Sequence, residues 1–177
     1  MPKKGYTYLF NKMISDPKIE VVLNTSYEEI AKIIQPKKAT IYTGPPDIFF
    51  NYKYGKLKWR SLKFNFKTFK KRKIQECVQI NYPNTKKYTR KVEIKHVTKQ
   101  KINFSTISYE FPKSTGDPYY PINDDKNRIM FKKYDKLIKQ SEKKNIFFEG
   151  RLAKYKYLNM DEVIERALLL FQKLKKK

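Results

Sequence analysis

Apolar residues recur along this chain with two different periods, and the change of period organises it. Met130, Tyr134, Leu137 and Ile138 repeat at helical spacing behind Asn123, Asp124 and Asp125, side chains that cap helices and put negative charge where the first backbone N–H groups lack partners. This predicts a helix over 124–142. Val163, Ile164, Ala167, Leu168, Phe171 and Leu174 form a broader stripe behind Asn159 and Glu162, an asparagine version of a capping box, and predict a helix over 160–175. Between them, Asn145-Ile146-Phe147-Phe148-Glu149-Gly150 reads as a short buried strand ending on glycine. Strand, turn and helix start in that order aim free N–H groups at a negatively charged ligand, and the same order also serves any plain αβα crossover.

Upstream the period is two. The stretches 58–66, 76–82, 88–96 and 104–110 alternate polar and apolar residues and are parted by polar turns, which predicts an antiparallel sheet with one covered face. Arg60, Arg90, His96 and Glu110 are candidates for its other face, and a plain solvated face is the simpler reading of His96. Nearer the N-terminus the pattern mixes. A short amphipathic helix over 8–14 ends at Asp16-Pro17, and a strand is expected over 19–24. A helix over 27–34 follows behind Ser26 and Glu29, and then a strand over 39–43 running into Gly44-Pro45-Pro46. Helix and strand in alternation belong to an α/β layer.

Composition narrows the function classes. The 177 residues carry a formal charge of +24 and are 40% hydrophobic, enough for a packed core. Such a charge suggests a polyanion or nucleic-acid binder, but only six cations are arginines, and the lysines are spread along the whole chain. Groove readers favour the forked arginine, so nucleic acid is not the expected main partner. The scarce arginines draw attention instead. One cysteine, Cys77, excludes an internal disulfide and fits a reducing, cytoplasmic setting; its surroundings suggest a half-buried strand position. With His96 the only histidine, no structural metal site is expected. No apolar run approaches the length of a membrane span, so no membrane association is expected.

Six blocks, in order, resemble a known family. They are Gly5-Tyr6-Thr7; Ile41-Tyr42-Thr43-Gly44-Pro45; Tyr54-Gly55-Lys56-Leu57 with Arg60-Ser61-Leu62-Lys63-Phe64; Tyr88-Thr89-Arg90 with Glu93; Asp117-Pro118-Tyr119-Tyr120-Pro121-Ile122-Asn123-Asp124; and Gly150-Arg151-Leu152-Ala153 with Tyr155-Lys156-Tyr157. Together they resemble the second half of UDP-galactopyranose mutase, a flavoenzyme interconverting the pyranose and furanose forms of UDP-galactose. The resemblance implies an α/β (α+β) fold: an antiparallel substrate-binding sheet plus the C-terminal strand and helix elements of a Rossmann-like FAD domain. It implies parts of that FAD domain over 1–46 and 116–177, with the sheet over 47–115. It implies Arg90 as the catalytic arginine beside flavin and diphosphate, Arg60, Tyr120 and Tyr157 on the substrate, and Gly150, Arg151 and Met160 on FAD, reduced in its active form. Asn159 stands where the family commonly has an acidic residue. The family's Gly-x-Gly-x-x-Gly segment is not in this sequence, so a fragment or half-enzyme is expected, partnered by UDP-galactose and by a separate N-terminal half or a second copy. Two other readings stand beside it. A catalytically inactive basic module would bind polyanions through lysines, and an amine oxidase-like flavoenzyme would share the Gly-Arg turn but not the tyrosine blocks.

Overall fold

The computed structural model describes residues 2–176. They form two compact units, residues 2–35 with 63–112, and residues 36–62 with 113–176. Parallel strands, antiparallel strands and helices all occur, as expected for an α/β (α+β) chain.

In the first unit, helix α1 (Gly5–Met13) and the single turn α2 (Tyr27–Ile30) precede the sheet. The capping box at α2 forms as the sequence implies: Glu29 N–H donates to Ser26 Oγ (3.3 Å), and Ser26 N–H donates to Glu29 Oε2 (2.7 Å). The helix is shorter than the expected 27–34: after Ile30 the chain goes on in turns, with Ile33 N–H donating to the Ile30 carbonyl (3.0 Å). The strand expected over 19–24 does not form. Asp16 closes a local turn by accepting from Lys18 N–H (2.8 Å), and Asn24 takes a left-handed backbone (φ 55°). Ile19, Val21, Val22 and Leu23 are left exposed, so the alternation there has no sheet to join.

Strand β2 (Trp59–Phe69) begins in the second unit and ends in the first, where β3 (Gln79–Asn81), β4 (Arg90–Glu93), β5 (Ser105–Lys113) and the end of β2 follow one another in that order. β3 pairs antiparallel with β4 (Asn81 opposite Arg90), and β4 with β5 (Arg90 opposite Glu110, Glu93 opposite Ile107). Two expected strands are cut short, and Glu93 is the reason. Its carboxylate is almost wholly buried (1% exposed) and accepts from Ile74 N–H (3.1 Å), Gln75 N–H (2.8 Å) and the Ser105 hydroxyl, which draws residues 70–78 into a loop around it. After Glu93 the chain leaves the sheet for one turn, α4 (Lys95–Thr98). His96 therefore stands on that turn and not on a sheet face. Its Nε2 is 2.8 Å from the Gln75 carbonyl, and because a carbonyl only accepts, that nitrogen carries the proton. Cys77, expected half-buried in a strand, is exposed in the same loop, with its thiol on the Gln79 carbonyl (3.2 Å).

In the second unit β1 (Thr40–Tyr42) pairs parallel with β7 (Ile146–Phe148), and the turn α3 (Pro46–Phe49) follows β1. Helix α5 (Asp125–Ser141) starts as predicted, with Asp124 accepting from Asn127 N–H (2.7 Å), and it buries Asn127, Tyr134 and Ile138. Tyr134, Leu57 and Tyr155 make the core, packed by Phe50, Tyr54, Trp59, Met130, Phe131 and Leu137. The Tyr134 hydroxyl donates to the Gly55 carbonyl (2.8 Å) and accepts from Tyr54 N–H (3.0 Å), so this buried phenol is satisfied on both sides. The C-terminal helix α6 (Met160–Lys175) also falls where the sequence predicts, with Asn159 N–H donating to Glu162 (2.6 Å), yet none of its residues is buried.

Candidate functional site

The site is assembled in the second unit from a strand pair and a turn. The two-residue strand β6 (Tyr120–Pro121) pairs antiparallel with the start of β2, with Arg60 opposite Tyr120 and Trp59 opposite Pro121. Pro121 has no N–H to donate, so the ladder is carried by its neighbours: Tyr119 N–H donates to the Arg60 carbonyl and Ile122 N–H to the Lys58 carbonyl, both at 3.1 Å. The chain reaches this pairing past Gly116, at φ +121°, where any Cβ would lie 2.7 Å from the buried Ser61 Oγ. Only glycine allows that approach.

The turn follows β7. Glu149 N–H donates to the Tyr42 carbonyl (3.1 Å) and closes the parallel pair, then Gly150 takes φ +94° and the backbone coils through Tyr155. The turn is therefore past the carboxyl ends of two parallel strands, the end at which α/β sheets bind ligands. Lys154 N–H donates to the Gly150 carbonyl (3.0 Å) and Lys156 N–H to the Arg151 carbonyl (3.2 Å). The turn is fastened to α6 by Arg166 Nε on Glu149 Oε1 (2.5 Å).

These pieces bring three of the expected residues together. The Arg151 guanidinium lies over the Tyr157 ring, 4.4 Å from its centroid, and donates to the Tyr119 carbonyl (3.3 Å). Tyr157 in turn stacks on Tyr120, with centroids 5.8 Å apart and planes 17° apart. The result is a layered Arg151–Tyr157–Tyr120 stack, with Arg60 held by register across from Tyr120. Arg60 and Tyr157 are exposed and Tyr120 is half-buried, so a cation and a phenol face solvent. An arginine fork and phenols bind a diphosphate through charge-assisted hydrogen bonds and need no metal. Met160, the first residue of α6, is exposed three positions beyond Tyr157. Arg90 belongs to the first unit, where its guanidinium pairs with Glu110 (3.3 Å) and its Nε donates to Asn81 Oδ1 (3.2 Å). Among the described residues, no group of three or more His, Cys, Asp or Glu side chains is arranged to hold a metal. Nor is any helix among them long and apolar enough to cross a membrane.

Sequence reasoning missed Tyr155. It is buried (5% exposed), and its hydroxyl reaches the Lys58 and Ile122 carbonyls and accepts from Ile122 N–H (3.1 Å). Burial pushes its phenol up to about 12, so it works as a neutral donor and acceptor. The signal was present in Tyr155-Lys156-Tyr157, two tyrosines at i and i+2, which in extended or irregular backbone need not share an environment. Here one is in the core and the other in solvent.

A family model described as UDP-galactopyranose mutase matches residues 1–157. A UDP-galactopyranose mutase of Mycoplasma genitalium is 38% identical over 98% of this chain and 47% of its own length, and one of Mycoplasma pneumoniae is 35% identical over the same shares. A dTDP-fucopyranose mutase of Escherichia coli is 32% identical over 95% of this chain and 46% of its own length. The chain spans about half the length of the curated relatives it matches.

Proposed function

Because the chain belongs to the UDP-galactopyranose mutase family, we propose that it contributes the diphosphate-binding side of a flavin-dependent mutase interconverting UDP-galactopyranose and UDP-galactofuranose. The observation that carries this reading is the Arg151–Tyr157–Tyr120 stack with Arg60 across from Tyr120. Relatives named for a UDP-sugar and for a dTDP-sugar have different bases and sugars but the same diphosphate, and the diphosphate is what an arginine and phenols are suited to grip.

The residues present fit one edge of an FAD site. Gly150 has open space where a side chain would project, Arg151 supplies a cation, and the α6 start at Met160 supplies backbone N–H groups with the positive end of a 16-residue helix. Reduced FAD, when bound, would supply the nucleophile toward the sugar's anomeric carbon. The chain's own groups have the supporting work. Arg60, Tyr120 and Tyr157 hold the diphosphate as it gains charge on leaving, and Arg151 keeps Tyr157 flat against Tyr120. Arg90, the first residue of β4, would take the family's role of an arginine beside flavin and diphosphate.

In this reading the rest of the catalytic site comes from the part of the family's length that the chain does not span. Two features support that division: among the described residues β1 and β7 form a parallel sheet of two strands, and α6 exposes Ile164, Leu168, Leu169 and Phe171. Parallel sheets are ordinarily wider and covered on both faces. The test is conversion of UDP-galactofuranose to UDP-galactopyranose with reduced FAD, by the chain alone and mixed with a separately made N-terminal half of a family member. Conversion in the mixture that is lost in Tyr157→Ala or Arg90→Ala is the expected outcome. Tight retention on any polyanion, abolished by salt and indifferent to both substitutions, would overturn it in favour of a lysine-driven basic module.

A further inference from the structure

Tyr155 joins the two pieces of the candidate site. One piece is the β2–β6 strand pair that carries Arg60 and Tyr120; the other is the turn that carries Arg151 and Tyr157. Tyr155 belongs to the turn, but its hydroxyl is on the strand pair. It offers its single proton to the Lys58 and Ile122 carbonyls and accepts from Ile122 N–H, the same amide that bonds Lys58 to complete the ladder around Pro121. Its ring is clamped as well, edge-on to Trp59 (4.8 Å between centroids) and stacked on Phe131 of α5 (5.6 Å). The backbone yields to these contacts: Tyr155 takes φ +46°, a left-handed conformation that a bulky aromatic residue adopts only when its surroundings impose it.

We infer that Tyr155 is a positioning residue. Its phenol sets how far the 150–157 turn stands from the β2–β6 pair, and thereby holds Tyr157 against Tyr120 under the Arg151 guanidinium. Tyr157 follows by two residues and Arg151 precedes by four, so a shift at Tyr155 moves both. The role in ligand binding rests on the diphosphate reading above, but the geometric role does not.

The test separates the two. Tyr155→Phe keeps the clamped ring and removes only the hydroxyl. In the folded variant the Arg151 Nε–H resonance, shifted by the Tyr157 ring, should move toward its solvent-exposed position, and the contacts between the Tyr120 and Tyr157 rings seen by nuclear Overhauser effect should weaken. Phe131→Leu, which loosens the ring and keeps the hydroxyl, should move the same resonances less, and it supplies the test if Tyr155→Phe does not fold. UDP affinity, measured by calorimetry, should fall by about tenfold in Tyr155→Phe and fall no further when the substitution is made in a Tyr157→Ala background. Unmoved Arg151 and tyrosine resonances in the folded variants would overturn the inference, whatever happens to UDP. Moved resonances with UDP binding that ignores Tyr157→Ala, or with no UDP binding by the unaltered chain, would uphold the positioning role and count against the diphosphate reading.

Discussion

A buried polar side chain ties separate segments together in each unit, Glu93 in the first and Tyr155 in the second, and the two pins work differently. Glu93 only accepts. It collects Ile74 N–H, Gln75 N–H and the Ser105 hydroxyl, with His96 Nε2 at 3.3 Å, and so orders a loop that no strand pairing supports. Tyr155 both gives and takes, and it ties together a strand pair and a turn whose own backbone bonds are already made. A loop of unpaired amides therefore depends on its carboxylate, whereas the strand pair and the turn survive as local structures without the phenol and lose mainly their mutual placement.

The largest expected effect follows from that difference. Glu93→Ala strands two backbone donors and a serine hydroxyl in a buried place and should cost roughly 3 kcal/mol or more, since each orphaned buried group costs about 1–3 kcal/mol. The chain has one cysteine and one tryptophan, Cys77 in the first unit and Trp59 in the second, so a dye on the exposed thiol and the indole's own fluorescence can follow urea unfolding of the two separately. A loss confined to the Cys77 signal is expected. A Glu93→Ala loss no larger than that of Tyr155→Phe would erase the distinction between the pins.

The pH dependence sharpens it, because the pins fail at opposite ends. Burial pushes the Glu93 carboxyl up, but hydrogen bonds from Ser105, Gln75 and Ile74 and the neighbouring His96 outweigh it and hold the group below its usual 4.5. The unfolded chain thus binds that proton more readily, so Glu93's stabilisation is full above about pH 4.5 and is lost as pH falls below it. Tyr155 is the reverse: burial raises its phenol from 10.0 to about 12, the folded chain keeps the proton longer, and stability falls as pH rises from about 10 through 12. That alkaline loss amounts to roughly 2–3 kcal/mol. In acid the Cys77 dye should respond first, and in alkali Trp59. Simultaneous loss of both signals at each extreme would mean that the pins do not act unit by unit. Tyr155→Phe has a smaller effect at neutral pH, about 1–2 kcal/mol for a satisfied hydroxyl whose partners keep some bonds to each other, and it should remove much of the alkaline loss seen through Trp59.

The same contrast explains what the sequence made legible. Helices α5 and α6, the strands at 40–42 and 146–148, and the cap at Asp124 rest on local chemistry, and they appear where periodicity and capping put them. Arg151, Tyr120 and Tyr157 were singled out through the motifs of the family resemblance, and the structure stacks them on one another. The misreadings cluster where a distant group decides. Residues 88–96 alternate to the end, but Glu93 turns inward to donors some twenty positions earlier, and the strand stops there. His96 and Cys77 were misplaced for the same reason. Residues 19–24 alternate too, yet alternation describes a face and cannot supply the neighbouring strand.

Helix α6 carries that lesson into the smallest expected effect. Its apolar stripe is as clear in the sequence as that of α5, which buries Tyr134 and Ile138 completely, but Leu168 is 58% exposed and Phe171 62%. Leu168→Ser should therefore change the stability of this chain by no more than about 0.5 kcal/mol in urea, as for other surface positions. If the stripe is meant for the part of the family's length not spanned here, adding a separately made N-terminal half should raise the cost of the same substitution to about 2 kcal/mol or more, as is typical of a buried leucine. A large loss in the chain alone that grows with protein concentration would point instead to a second copy over α6, and the helix would then be seated against itself.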